Sequence, residues 1–297
     1  MKPRSTSPHP ASQHGSGSPP QIASLGGLPR TRTRMAAEQV RRDFDTLSAV
    51  YDETREPLDL ATIQGLEGYL GEHHWSTILE VGVGTGRVAR PLVDRGVRVV
   101  GVDASRGMLG RAAAKGLPYL VRGDAYCLPF PDRSFDAALF VHVLHILDRP
   151  SLGLREAARV GRHGVLAILD LPSKEARGGD PPPEEEPRRL VREALSEAGY
   201  PDLLRAGPRA KEQKLLRTYP PAELRVLSDR EVTEPLARRL DLIEKRAYRH
   251  VLRVPPDVLA RAVAAARERV GTRTVTYRRT EAVAWWNGPP GSLVPSP

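Results

Sequence analysis

From Ala36 to Tyr51 the apolar residues Val40, Phe44, Leu47 and Val50 recur at spacings of three and four, which predicts an amphipathic helix. A second helix is predicted from Asp59 to Gly71. At Thr77 the period changes. Thr77 to Val81 reads as a short buried strand, followed by a glycine-rich turn and a helix from Arg87 to Asp94. Strands are predicted at Val97 to Val102, Tyr119 to Arg122, Ala137 to Val143 and Val165 to Leu171, with helices at Arg106 to Ala114 and Ser151 to Val160 between them. Short apolar β-rich runs alternating with helices imply a parallel sheet covered on both faces, an α/β doubly wound fold. The region from Pro172 to Pro187 is rich in proline, carries the acidic triplet Glu184 to Glu186 and reads as a loop. Helices are expected again at Arg188 to Ala198, Ala237 to Val251 and Pro256 to Val270, before a terminal strand at Thr274 to Trp285.

The turn after the first strand is the informative stretch. Gly82, Gly84 and Gly86 stand between an apolar strand and a helix, where a backbone without side chains lets a ligand approach closely. A dinucleotide-binding loop counted from Gly82 and Gly84 needs a glycine at position 87, and Arg87 stands there. Asp103 closes the next strand. In a doubly wound sheet an acid at that point faces the ribose hydroxyls of a nucleotide held over the first loop.

The net charge of +9 suggests a nucleic-acid or membrane-surface partner until its distribution is read. Lys2, Arg4, Arg30, Arg32 and Arg34 supply five of those charges within a segment that contains no Asp or Glu. Residues 1–34 are rich in Pro, Ser and Gly and read as a disordered tail or as sequence upstream of the true start; their prolines oppose a targeting helix. Residues 35–287 read as one domain, with a core at 72–172, and residues 288–297 as a second coil-like tail. The single cysteine, Cys127, excludes an internal disulfide framework and a cysteine-based zinc site. The longest run free of charges and turn residues inside the folded part, Ala137 to Leu147, contains two histidines and is shorter than the roughly 20 residues a membrane span requires.

Four ordered motifs carry a resemblance. Glu80 to Gly86 supplies an acid-Val-Gly-x-Gly-Thr-Gly loop, and Asp103 is followed by Ser105, Met108 and Leu109. Gly123-Asp124-Ala125 precedes Leu128-Pro129-Phe130 and Ser134-Phe135-Asp136, and Phe44-Asp45 and Tyr51-Asp52 lie upstream. Together these resemble the class I S-adenosylmethionine-dependent methyltransferases, more closely the small-molecule branch with type 11 methyltransferase domains, which includes quinone-biosynthesis C-methyltransferases. The resemblance implies a Rossmann-like, mostly parallel seven-stranded sheet, with the helices at about 237–271 inserted before the last strand as a cover over the acceptor pocket. It implies S-adenosylmethionine as cofactor: Gly82, Val83, Gly84, Thr85 and Gly86 under the methionyl part, Glu80 near its amino group, Asp103 on the ribose, Ala104 and Met108 on the adenine, and Asp124 with Ala125 at the adenine amino group. Asp136 is expected to fix the start of its strand.

Tyr51, His142, His145 and Asp170 are the candidate bases for an acceptor that must lose a proton, with His145 and Tyr51 carried forward as the catalytic pair. Arg55 reads as a partner for Asp52 or Glu56, or as a binder of an acidic acceptor. No metal is expected. The strand ending near His142 is followed by no Asn/Asp-Pro-Pro-aromatic motif for a flipped base, and aromatic content of 5% gives no stacking platform, so nucleic acid is disfavoured and a small-molecule acceptor in the cytoplasm is expected. The cluster Arg246, Arg249, His250 and Arg253 keeps open a methyltransferase acting on RNA or protein, and a non-catalytic cofactor-binding module is the third reading.

Overall fold

The computed structural model describes residues 32–55, 58–171, 183–201 and 208–288. The expected tails lie almost wholly outside these residues, as does most of the Pro172 to Pro187 loop. Arg32, Thr33 and Arg34, expected in the tail, already belong to helix α1 (Arg32–Leu47). There follow α2 (Tyr51–Thr54), α3 (Leu60–Glu72), β1 (Thr77–Val81), α4 (Ala89–Val93), β2 (Arg98–Asp103), α5 (Arg106–Ala114), β3 (Leu120–Arg122), β4 (Ala137–Val141), α6 (Pro150–Val160) and β5 (Val165–Leu171). The second half adds α7 (Glu186–Glu197), α8 (Pro208–Thr218), β6 (Glu223–Pro235), α9 (Ala237–Glu244), α10 (Pro256–Val270) and β7 (Thr274–Trp286).

The strands form one seven-stranded sheet in the order β3-β2-β1-β4-β5-β7-β6. β1 to β5 pair in parallel, and β7 is antiparallel to both β5 and β6. This is the Rossmann-like methyltransferase arrangement. Alternate residues of a strand face opposite sides, so β1 feeds two cores. Ile78 packs with α3 and α4 through Leu66, Leu70 and Leu92, whereas Leu79 and Val81 pack with α6 through Leu154 and Ala157. Local chemistry sets the helix starts: the Ser105 hydroxyl accepts the Met108 amide at 3.1 Å to cap α5, and proline occupies the first turn of α6 and α10. Asp136 ties the start of β4 to the start of β1 at the centre of the sheet, its carboxylate accepting the amides of Ser76 and Thr77 at 2.9 Å and the Thr77 hydroxyl at 2.7 Å.

α8 was not expected from the sequence, and two further elements depart from the pattern. β6 was not foreseen because it is the sheet's edge: its charged residues alternate with apolar ones, and Leu224 and Val226 remain exposed. The helix expected over Ala237 to Val251 ends at Glu244, and Arg246 takes a left-handed φ of 55° before a 3-10 turn at Arg249–Arg253. Residues 237–270 do sit before the last strand. They pack with α7 in a third core of Leu190, Leu195, Leu240, Ile243, Leu259 and Val263, to one side of the main cavity.

Candidate functional site

A cavity of about 390 Å³ opens at the carboxyl ends of β1, β2 and β4. Glu80, Gly82, Val83, Gly84, Thr85, Asp103, Ala104, Met108, Asp124 and Ala125 all line it, as does Tyr51. The loop after β1 is held open by three left-handed glycines, Gly82, Gly84 and Gly86, at φ 75°, 57° and 77°. At Gly84 a Cβ would meet nothing nearer than the Gly82 carbonyl at 4.0 Å, which leaves the loop's inner face free for a ligand. Gly86 does something else. It does not line the cavity, and a Cβ there would strike the Leu117 side chain at 2.3 Å, so this glycine serves packing.

The electrostatics are acidic and dry. Glu80 is 2% exposed and one of its carboxylate oxygens, Oε2, is buried without a hydrogen-bond partner. Burial first, then the Asp103 charge, push its pKa up to about 8, against a hydrogen bond from the Ala89 amide. Asp103 accepts the Gly84 amide at 2.9 Å and the Ser105 amide at 2.8 Å, and burial still holds its pKa above the ordinary value. Each oxygen keeps acceptor capacity beyond the one backbone bond it makes. Asp124 accepts the Tyr126 amide at 2.9 Å. An orphaned buried carboxylate oxygen, a second buried carboxylate with acceptor capacity to spare and a glycine-rich loop fit a ligand that carries an amino group and hydroxyls.

The roof comes from the N-terminal helices. Val40 and Phe44 of α1 face the cavity, and Asp45 fastens α1 to α5 by accepting the Ser105 hydroxyl at 2.6 Å and the Gly107 amide at 2.9 Å. Thr85 donates to Asp52 at 2.6 Å, and Lys115 pairs with the same carboxylate at 2.8 Å. Burial opposes ionisation of Asp52, but those two partners prevail and hold its pKa below the usual range. The described lining contains no residue of 237–271. Leu58, Arg87, Ile146 and Leu147 also line the cavity and were not foreseen.

Several candidates change place. His145 does not line the cavity; its Nδ1 lies 2.8 Å from Glu212 Oε1 of α8, and this buried pairing ties the turn after β4 to a neighbouring helix. His142 lines the cavity instead. It adopts a left-handed φ of 53°, and its ligand atoms and those of Asp170 and Glu281 lie within 4.8 Å of one another. Arg55 is not paired with Asp52: it donates to the Ala247 carbonyl at 2.8 Å and lies over the rings of Tyr51 and Tyr248 at 5.0 and 4.9 Å, while Glu56 lies outside the described residues. The basic cluster is largely engaged. Arg249 and Arg253 converge on buried Asp43 of α1 at 3.2 and 3.5 Å, Arg246 donates to the Leu252 carbonyl, and burial pushes the His250 pKa down to about 3. Cys127 is exposed.

Residues 79–169 match a family model described as a methyltransferase domain. A demethylmenaquinone methyltransferase of Renibacterium salmoninarum is 32% identical over 138 residues, which cover 44% of this chain and 58% of the relative. Another, from Beutenbergia cavernae, is 35% identical over 152 residues, 48% of this chain and 61% of the relative. The chain thus spans about three fifths of the length of the curated relatives it matches. Among solved structures, a SAM-dependent methyltransferase of Thermotoga maritima, titled a possible histamine N-methyltransferase, is 26% identical with a TM-score of 0.45, covering 65% of this chain and 85% of that one. Among the described residues no helix is long and apolar enough to cross a membrane.

Proposed function

We propose that this chain, which carries a class I methyltransferase domain similar to those of quinone-biosynthesis C-methyltransferases, transfers a methyl group from S-adenosylmethionine to a small aromatic acceptor of the quinol type. The observation that carries the reading is the convergence of Glu80, Asp103 and the side-chain-free face of Gly84 on one cavity. When bound, the cofactor supplies a methyl group on a positively charged sulfur that is a good leaving group.

The chain's residues divide the remaining work. Glu80 takes the cofactor's amino group, which gives its orphaned oxygen a partner and restores its charge. The amides and open backbone of Gly82 to Thr85 cradle the methionyl part. Asp103 accepts the ribose hydroxyls. Ala104 and Met108 pack on the adenine, and Asp124 with Ala125 meets its amino group. Phe44, Val40, Leu58 and Leu147 exclude water on the acceptor side, so that catalysis rests on positioning within a dry cavity. Tyr51 and the Arg87 guanidinium line the same space. Arg87 makes no hydrogen bond among the described residues, and burial lowers its pKa; it is the cation free to meet an acceptor oxygen.

A small acceptor is favoured over RNA by the roof of α1 and by Asp43, which engages the two arginines best placed to grip phosphate. Incubating the protein with isotopically labelled S-adenosylmethionine and fractionated metabolite extract tests the reading. Label appearing in a low-molecular-mass aromatic product is the expected outcome; label in RNA or protein, or in nothing, would argue against it.

A further inference from the structure

We propose that His142, oriented by Glu281, is the base that takes the proton from a hydroxyl-bearing aromatic acceptor. This rests on the methyltransferase reading above and adds the proton's destination. His142 lines the cavity at the end of β4, with its Nε2 buried, without a hydrogen-bond partner, and 3.9 Å from Glu281 Oε1. That separation exceeds a hydrogen bond, as pairs of this kind often do before substrate closes them. Glu281 is itself 2% exposed and fixed: it accepts the Thr62 hydroxyl of α3 and the Arg279 guanidinium at 3.0 Å. With Nε2–H turned toward Glu281, the lone pair of Nδ1 is left for the cavity.

The other groups facing this ring decide between a base and a metal. Asp170 is the register partner of Glu281 across β5 and β7, so the two carboxylates share a sheet face beside His142. His142, Asp170 and Glu281 have the donor types of a metal site. Arg279, however, stands 3.6 Å from Asp170 and 3.0 Å from Glu281, and its fixed charge already balances the carboxylates where a metal ion would sit. Arg279 also adds to the positive field at Arg87, which stabilises an acceptor oxyanion. The left-handed backbone of His142 is a conformation that few non-glycine residues hold without compensation.

The step balances. The acceptor O–H proton moves to Nδ1, and its bonding pair delocalises from oxygen into the ring. The conjugated ring carbon forms the new bond to the methyl carbon, and sulfur keeps the pair of the broken S–CH3 bond. The methylated dienone leaves the cavity and tautomerises in solvent, its ring carbon giving up a proton and its oxygen taking one, which restores aromaticity, and His142 releases its proton to solvent as the cavity empties.

Nitrogen-15 NMR of histidine-labelled protein tests the orientation on the protein alone: the His142 tautomer with its hydrogen on Nε2 is expected, and the tautomer with its hydrogen on Nδ1 overturns the proposal whatever the acceptor. In parallel, His142→Asn, Glu281→Gln and Glu281→Asp are assayed with 1,4-naphthohydroquinone and S-adenosylmethionine. Asparagine tolerates the left-handed backbone, so His142→Asn is expected to fold, to bind the cofactor within about twofold of the wild type by calorimetry, and to lose about 100-fold or more in kcat. Glu281→Gln, a change in a positioning residue, is expected to lower kcat with little change in KM and to disturb the tautomer, with partial recovery in Glu281→Asp. His142→Asn turning over within threefold of the wild type overturns the proposal, as does activity that a chelator abolishes and Zn²⁺ restores. Wild-type protein that fails to bind the cofactor contradicts the methyltransferase reading instead and leaves the tautomer result standing.

Discussion

Asp103, at the end of β2, reaches back to the loop after β1 and accepts the amide hydrogen of Gly84 at 2.9 Å. One carboxylate therefore does two things: it orders the loop and it offers its remaining acceptor capacity to the cavity. Its other oxygen accepts, at 2.8 Å, the amide of Ser105, the residue that caps α5. Loop, strand end and helix start are thus referenced to a single side chain, which sets the cavity's shape before a ligand arrives.

Glu80 couples that shape to pH. Its pKa stands at about 8 in the folded protein against an ordinary value of 4.5, so the folded state holds a proton that the unfolded chain releases. The stability this proton confers is complete below about 4.5 and is lost as pH rises through about 8. At about 1.4 kcal/mol per pH unit, the loss across that window is on the order of 5 kcal/mol. Asp103 adds a slope of the same sign, so the informative quantity is the difference between variants. Urea unfolding of Glu80→Gln should show a flatter decline between pH 5 and 8 than the wild type. A cationic cofactor draws Glu80 into its charged form, so calorimetry near pH 7 in buffers of different ionisation enthalpy should record release of about one proton, absent in Glu80→Gln.

The loop glycines separate binding from folding. Gly84→Ala places a methyl group on an open face at a left-handed φ, and it should cost about 1–2 kcal/mol of stability while weakening cofactor binding by tenfold or more. In Gly82→Ala the new Cβ lies 2.7 Å from the Val143 side chain, and the stability loss should exceed that of Gly84→Ala by about 1–3 kcal/mol. Thermal unfolding with and without cofactor distinguishes the two; equal effects in both variants would contradict this division.

His145 is expected to behave as a structural residue. Replacing it with Phe strands the buried Glu212 carboxylate and should cost about 1–3 kcal/mol, with cofactor affinity unchanged within about twofold. A variant of wild-type stability that has lost turnover would return His145 to the chemistry.

The sequence exposed those parts of the molecule whose physics is local. The strand-turn-helix around Gly82 to Gly86, the acid at the end of β2 and the capped start of α5 follow from periodicity and side-chain type, and their boundaries agree with the structure to within a residue or two. What depends on distant partners was less legible. His142 and His145 stand three apart in one turn, and only the positive φ at His142 and the arrival of Glu212 from α8 decide which ring meets the cavity. β6 escaped because half of its face is solvated, and its pairing with β7 is the long-range fact that makes it a strand. Likewise, no local pattern announces that Asp43 will engage Arg249 and Arg253.

Calorimetric titration of the purified wild type and of Asp103→Ala with S-adenosylmethionine tests the central claim most directly. The geometry predicts saturable binding of one cofactor per chain by the wild type and a loss of at least tenfold in affinity on Asp103→Ala. No binding by the folded wild type, or equal affinity in both proteins, would contradict it.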